Sequence, residues 1–145
     1  MVISMKFTKS ELEQKAAEAI RACLEDVPSV KIKGLEMERD FKGCRADLVT
    51  TVTTPTGTTR FLVAEIKATG EPRVAREALN QLWRNWANQP DVVPVFIAPY
   101  ISPKSAEICK QDNTGYMDLA GNCRLVLDNV FIEREGRPNP FSEKR

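Results

Sequence analysis

Two runs of strand-forming residues, Arg45-Ala-Asp-Leu-Val-Thr-Thr-Val-Thr53 and Arg60-Phe-Leu-Val-Ala-Glu-Ile-Lys67, flank the short stretch Thr54-Pro-Thr-Gly-Thr58. No other stretch restricts the fold as much. Pro55 suits the first central position of a type I turn, and Gly57 takes the left-handed conformation that follows it. Together they make a three-residue hairpin loop with a bulged glycine. Thr54 then faces Thr58, and paired residue numbers sum to 112 along the two strands. A four-residue loop is the alternative, with numbers summing to 111. The choice matters because a slip of one residue moves every side chain to the other face.

The second strand raises a chemical question. Side chains alternate across a strand, so Phe61, Val63, Glu65 and Lys67 share one face, and Leu62, Ala64 and Ile66 the other. In the first register Asp47 lies opposite Glu65; in the second it faces away. Directly opposed β-carbons stand about 5 Å apart, where like charges destabilise the sheet. Two carboxylates so placed need a proton, a lysine or a divalent cation between them. Lys67 is beside Glu65, and a hard ion such as Mg²⁺ takes one or two carboxylates while keeping waters and room for phosphate oxygens. That chemistry is metal-assisted phosphodiester hydrolysis. The bland alternative is a solvent-facing Asp47 and a Glu65–Lys67 pair at a strand end.

The rest of the chain narrows the chemistry. It has no histidine, so the usual general base and every Ser-His or Cys-His pair are excluded. The four cysteines, Cys23, Cys44, Cys109 and Cys123, form no C-x-x-C pair, so a zinc site is not expected and reduced thiols in a cytoplasmic protein are. No run approaches the roughly 18 apolar residues of a membrane span, and the N-terminus lacks the apolar run of a signal peptide. A net charge of +1 neither demands nor excludes nucleic acid, so local placement of the 21 basic residues decides.

Periodicity extends the reading to a fold. Thr8/Glu11 and Ser10/Glu13 each resemble a capping box. Behind them Leu12, Ala16, Ala19, Ile20 and Cys23 form a helical stripe ending near Pro28. Strands follow at 30–41, irregular at Gly34, at 45–53, and in the stretch ending at Lys67. Pro72 opens a helix to about Gln89, with Ala75, Ala78, Leu79, Leu82 and Trp86 on its apolar face. A strand buried on both faces is expected at 92–100. Ser102-Pro103 opens a helix to about Gln111, and a hairpin around Asp128-Asn129 ends the ordered part. Tyr116, Asp118 and Asn122 either order a tight loop or meet nucleic acid. The expected order is α-β-β-β-α-β-α-β-β: an α/β fold, a mixed sheet flanked by helices. One domain over 1–136 and a polar tail or linker at 137–145 are expected.

The set Arg45-Ala46-Asp47, seventeen intervening residues, then Glu65-Ile66-Lys67 resembles the motif of the PD-(D/E)XK nuclease superfamily. The likeness spans about residues 8 to 100. It implies a restriction-endonuclease-like α-β-β-β-α-β core, here with a C-terminal helix and β-hairpin extension. It further implies a metal-dependent DNA endonuclease using Mg²⁺ (or Mn²⁺). Asp47 and Glu65 would be metal ligands, the Ile66 carbonyl a third, and Lys67 the catalytic lysine. Ala46 stands where many members have proline. Many members add a glutamate from the first helix. Glu13, at the edge of the apolar stripe, is the choice among Glu11, Glu13, Glu18 and Glu25, with a solvated face as the alternative for all four. Some use a glutamine in the helix after the E-x-K strand, here Gln81. Arg73, Arg76 and Arg84 would contact phosphates, Arg76 being nearest the apolar edge; an ordinary solvated face is the alternative. Residues 101–141 are similar to bacterial proteins in which a nuclease-like domain precedes a winged helix, some labelled antitoxin-type regulators. A homodimer is expected of a chain that cuts two strands. The rivals are a nuclease-fold DNA-binding or regulatory module without strong activity, and a protein-interaction domain.

Overall fold

The computed structural model describes residues 7–141. The elements run α1 (Lys9–Glu25), β1 (Lys31–Phe41), β2 (Cys44–Thr53), β3 (Thr59–Ile66), α2 (Pro72–Trp86), β4 (Val92–Ala98), α3 (Pro103–Gln111), β5 (Gly115–Asp118), β6 (Cys123–Leu127) and β7 (Val130–Arg134). They build one mixed sheet in the sequential order β1-β2-β3-β4-β5-β6-β7. The expected α-β-β-β-α-β order through residue 98 is present, as are the following helix and the hairpin around Asp128. The strand β5 was not expected. It is four residues long, too short for alternation to register, and pairs parallel with β4 from Val95↔Gly115 to Ala98↔Asp118.

The β2–β3 hairpin closes as its turn residues dictate. Thr54 N–H donates to the Thr58 carbonyl at 2.9 Å, and Gly57 takes φ +83°. Leu48↔Ala64 through Thr53↔Thr59 pair with numbers summing to 112, so the three-residue loop is the observed one. Upstream, Lys42 and Gly43 both take positive φ, +49° and +90°, in a two-residue loop joining Phe41 to Cys44. That is the backbone of a type I′ turn. The irregularity in β1 falls at the register shift between Ile32 and Gly34.

Both parallel crossovers, β3-α2-β4 and β4-α3-β5, place their helices on one face. There Ala75, Ala78 and Leu79 of α2 meet Phe96, Ala98, Cys109 and Tyr116, and Leu82 and Trp86 meet Phe41, Val49 and Val63. Helix α1 covers the opposite face, where Ala16, Ile20 and Cys23 pack with Leu48, Leu62, Ile97 and Leu125. Ala17 is buried in the α1 stripe and Ala19, the residue expected there, is half-exposed. The helix starts with the Thr8/Glu11 box: Thr8 Oγ1 accepts from Glu11 N at 3.1 Å, and Glu11 Oε1 accepts from Thr8 N at 2.8 Å. The Ser10/Glu13 box is not used, which leaves the Glu13 side chain available elsewhere. Among the described residues no helix is long and apolar enough to cross a membrane.

The loops leaving β3 and β4 touch through a parallel bridge, Gly70↔Ile101. A Cβ at Gly70 would lie 2.0 Å from the Tyr100 carbonyl oxygen and 2.7 Å from Ile101 Cα. Backbone cannot yield as a flexible side chain does, so Gly70→Ala should cost about 1–3 kcal/mol, the range for overpacking. Urea unfolding measures this; an unchanged midpoint would contradict the close approach.

Candidate active site

The β2–β3 ladder runs as far as Leu48↔Ala64, and the next step puts Asp47 opposite Glu65. Beyond that pair the strands are joined by a side chain. Asp47 Oδ2 accepts the Ile66 backbone N–H at 2.8 Å. Lys67 N donates to the Ile97 carbonyl at 2.9 Å, which keeps the end of β3 on β4. Glu65 lies in parallel register with Phe96, and Val49 pairs with Val63, all on the face that α2 covers. Its side chain is only 7% exposed, and Lys67 Nζ is 3.4 Å from Glu65 Oε1. The sequence set Asp47, Glu65, Ile66 and Lys67 is thus gathered at one end of the β2–β3 pair.

A second acidic group adjoins it. The β1–β2 pairing numbers sum to 85 on both sides of Glu38, so Glu38 stands opposite Asp47 on the other side of β2. Glu38 has φ +47°, an uncommon conformation for a glutamate, at a place where the chain is pinned by several charges. Its Oε1 is 2.9 Å from Lys9 Nζ and 3.5 Å from Arg45 Nη2. Glu13, half-buried on α1, shares a hydrogen bond with Glu38, and burial first, then that bond and the charges of Glu38 and Asp47, push its carboxyl above the ordinary range. The Glu38 carboxyl is held below it by Lys9 and Glu13. Glu13 thus engages Glu38, the residue opposite Asp47 across the β1–β2 pair. Sequence reading missed Glu38. The signal was there in Lys42-Gly43, a two-residue loop that fixes the register of β1 on β2. Glu11 is spent on the cap, Glu18 is exposed beside Lys15, and Glu25 is exposed.

Burial and the neighbouring charge of Asp47 raise the Glu65 carboxyl above its ordinary range, partly offset by Lys67. An acid whose pKa is higher folded than unfolded favours the fold most below the unfolded value, near 4.3. That contribution is lost as pH rises through the folded value. The ionised Glu65 is therefore a cost at neutral pH. Glu65→Gln should raise the melting temperature of the metal-free protein by a few degrees at pH 7, with the gain vanishing near pH 4. A lower melting temperature for the variant at pH 7 would show that Lys67 outweighs burial.

No family model matches the chain, and no curated protein does. Among solved structures it is similar to EndoMS in complex with dsDNA2, at 15% identity and a TM-score of 0.47, over 79% of this chain and 46% of that one. It is also similar to EndoMS in apo form (14%, 0.44, 79% and 47%). A repair endonuclease from Pyrococcus abyssi is similar at 11% and 0.42, over 70% and 46%. The chain spans less than half the length of each, and likeness at this level assigns neither a family nor an activity. The likeness of residues 101–141 to winged-helix regulators finds no support in these three structures.

The remaining candidates lie on α2 and in the segment after α3. Arg73, Arg76 and Arg84 are exposed on α2 and Gln81 is half-buried. Arg73 pairs with Glu77 at 3.2 Å. Among the described residues no hydrogen bond or ion pair joins any of the four to Asp47, Glu65 or Lys67. Asp118 and Asn122 order a loop. The Asp118 carboxylate accepts from Ile101 N, Ala120 N, Asn122 N and Asn122 Nδ2, and Asn122 in turn grips the Arg137 main chain at both its N–H and its carbonyl. Tyr116 is buried, its hydroxyl 3.5 Å from Glu135. Of the tail, residues 142–145 lie outside the described residues; Phe141 meets Phe7 edge-on at 5.6 Å.

As a metal centre the donor set is all oxygen. Among the described residues no three His, Cys, Asp or Glu side chains stand together as a ready-made cage. Oxygen donors are the kind that hard cations take, and Mg²⁺ is held by as few as one or two protein carboxylates with water in its other positions.

Proposed function

We propose that the chain is a Mg²⁺- or Mn²⁺-dependent DNA endonuclease of the PD-(D/E)XK kind. The observation that supports this best is the in-register placement of Asp47 and Glu65 on neighbouring strands, with Lys67 3.4 Å from Glu65. Asp47, Glu65 and the Ile66 carbonyl would hold the cation, which when bound polarises the phosphate and lowers the pKa of an attacking water. The protein's own part is positional. Asp47 is oriented by the Ile66 N–H, and its other oxygen accepts no hydrogen bond among the described residues. Lys67 lowers the repulsion within the acidic pair and supplies an ammonium for the attacking oxygen or for charge building on phosphorus. The exposed Arg73, Arg76 and Arg84, with Gln81, would contact the DNA backbone. Free, mostly buried thiols suit a reducing cytoplasm, and cutting both strands suits a homodimer.

One observation favours a second reading. Glu13 engages Glu38, so the helix glutamate is partly diverted from the metal site. That suits a nuclease-fold DNA-binding module with weak activity or none. Plasmid, linear and branched DNA incubated with Mg²⁺ or Mn²⁺ separate the readings, with Asp47→Asn and Lys67→Ala alongside. Cleavage by the wild type alone supports the nuclease. Binding without cleavage in either metal supports the module, and equal cleavage by all three proteins removes the proposed site.

A further inference from the structure

Two cysteines a hundred residues apart meet in the core. Cys23 lies in the last turns of α1 and Cys123 opens β6, and their Sγ atoms are 3.6 Å apart with Cys23 donating. Both thiols are free. They border a cavity of about 530 Å³ whose rim carries the exposed Lys15, Glu18 and Asp26. The pair is therefore within reach of a small solute although each residue is under 5% exposed. A cation attends it. Arg134 of β7 puts Nη1 3.7 Å from Cys123 Sγ and Nη2 3.2 Å from Asp26 Oδ2. Thiolate character and an electropositive, reachable setting separate reactive thiols from inert ones. Donation from Cys23 and the charge of Arg134 bring the Cys123 thiol down to about 7, while Cys23 is pushed up and stays a thiol. Cys109, by contrast, is raised to about 12 by burial, and Cys44 makes no contact with another cysteine among the described residues.

We propose that Cys23 and Cys123 form a reversible redox pair whose oxidation by a hydroperoxide ties α1 to β6. The Cys123 thiolate attacks one oxygen of hydrogen peroxide. The O–O bond breaks, hydroxide leaves, and Cys123 becomes a sulfenic acid. Cys23 then attacks the Cys123 sulfur. The new S–S bond forms as the S–O bond breaks, and the hydroxyl leaves as water with the Cys23 proton. Peroxide is reduced and the two thiols are oxidised. Shortening 3.6 Å to the ~2.05 Å of a disulfide is a side-chain-scale movement. A helical rise of ~1.5 Å per residue puts Cys23 about 15 Å along α1 from Glu13. The bond would therefore fix α1 to the sheet without touching the acidic cluster, and it reads out as stability.

The test uses the full chain carrying Cys44→Ser, which prevents cross-linking between molecules through the half-exposed thiol. After hydrogen peroxide, non-reduced peptide mapping should find Cys23 joined to Cys123. The melting temperature should rise by roughly 10 °C, as expected for closing so long a loop, and return with dithiothreitol. Adding Cys23→Ser should leave a dimedone-reactive sulfenic acid at Cys123. The proposal is overturned if Cys123 stays alkylatable after such treatment, or if it passes to sulfinic acid with no cross-link. Adding Arg134→Gln should slow Cys123 oxidation several-fold; an unchanged rate would remove the arginine from the account.

Discussion

Under the proposed nuclease function, Lys67→Ala should lower metal-dependent DNA cleavage by about 100- to 1,000-fold, the range for losing one well-placed charge-stabilising group, with the fold intact. The fold should survive because Lys67 lies just past β3 and its backbone bond to Ile97 does not depend on the side chain. The ammonium matters because it is the cation attending a Glu65 that is nearly out of solvent and raised further by Asp47. Without it Glu65 binds its proton more tightly, so residual activity should need higher pH. Asp47→Asn should lose as much activity for a different reason. It keeps an oxygen to accept the Ile66 N–H at 2.8 Å but removes the charge that would hold a cation. Asp47→Ala would also strand that N–H, at about 1–3 kcal/mol of stability, and so mixes two effects. Single-turnover cleavage rates against pH, with melting curves for each variant, give the answer. Lys67→Ala at wild-type rate and unchanged pH profile would end the catalytic reading.

Local chemistry decided what could be read in advance. The β2–β3 register was legible because Pro55 and Gly57 admit few loop geometries, and that register alone brought Asp47 to Glu65. The β1–β2 register was equally determined, by Lys42-Gly43, but a lysine at positive φ advertises a turn far less than Asn-Gly does. Glu38 was lost with it. Two overlapping capping boxes could not be separated by spacing; the observed choice of Glu11 is what leaves Glu13 to meet Glu38. Strand β5 escaped notice because it is short and ends in a buried carboxylate, and sequence patterns do not show that four backbone and amide donors await it. The exposed arginines of α2 were legible as exposed, but neither the sequence nor the unliganded fold links them to the carboxylates.

That buried carboxylate carries the largest expected effect on stability. Asp118 is 2% exposed and accepts four hydrogen bonds of 2.9–3.0 Å. Through Ile101 it fixes the start of the loop into α3. Through Ala120 and Asn122 it closes the turn between β5 and β6, and Asn122 carries the order on to Arg137. Asp118→Ala strands the Ile101 and Asn122 N–H groups in the interior at about 1–3 kcal/mol each, and a total near 3–5 kcal/mol is expected. Asp118→Asn should fall between: one oxygen still accepts, while its new NH₂ group confronts donors. Urea unfolding of the three proteins should give that ranking. DNA cleavage or binding by Asp118→Ala, measured well below its melting temperature, should stay within a few-fold of wild type, since Asp118 faces backbone and not solvent. Unchanged stability together with lost DNA binding would move Asp118 from the architecture of the loop to the nucleic-acid surface.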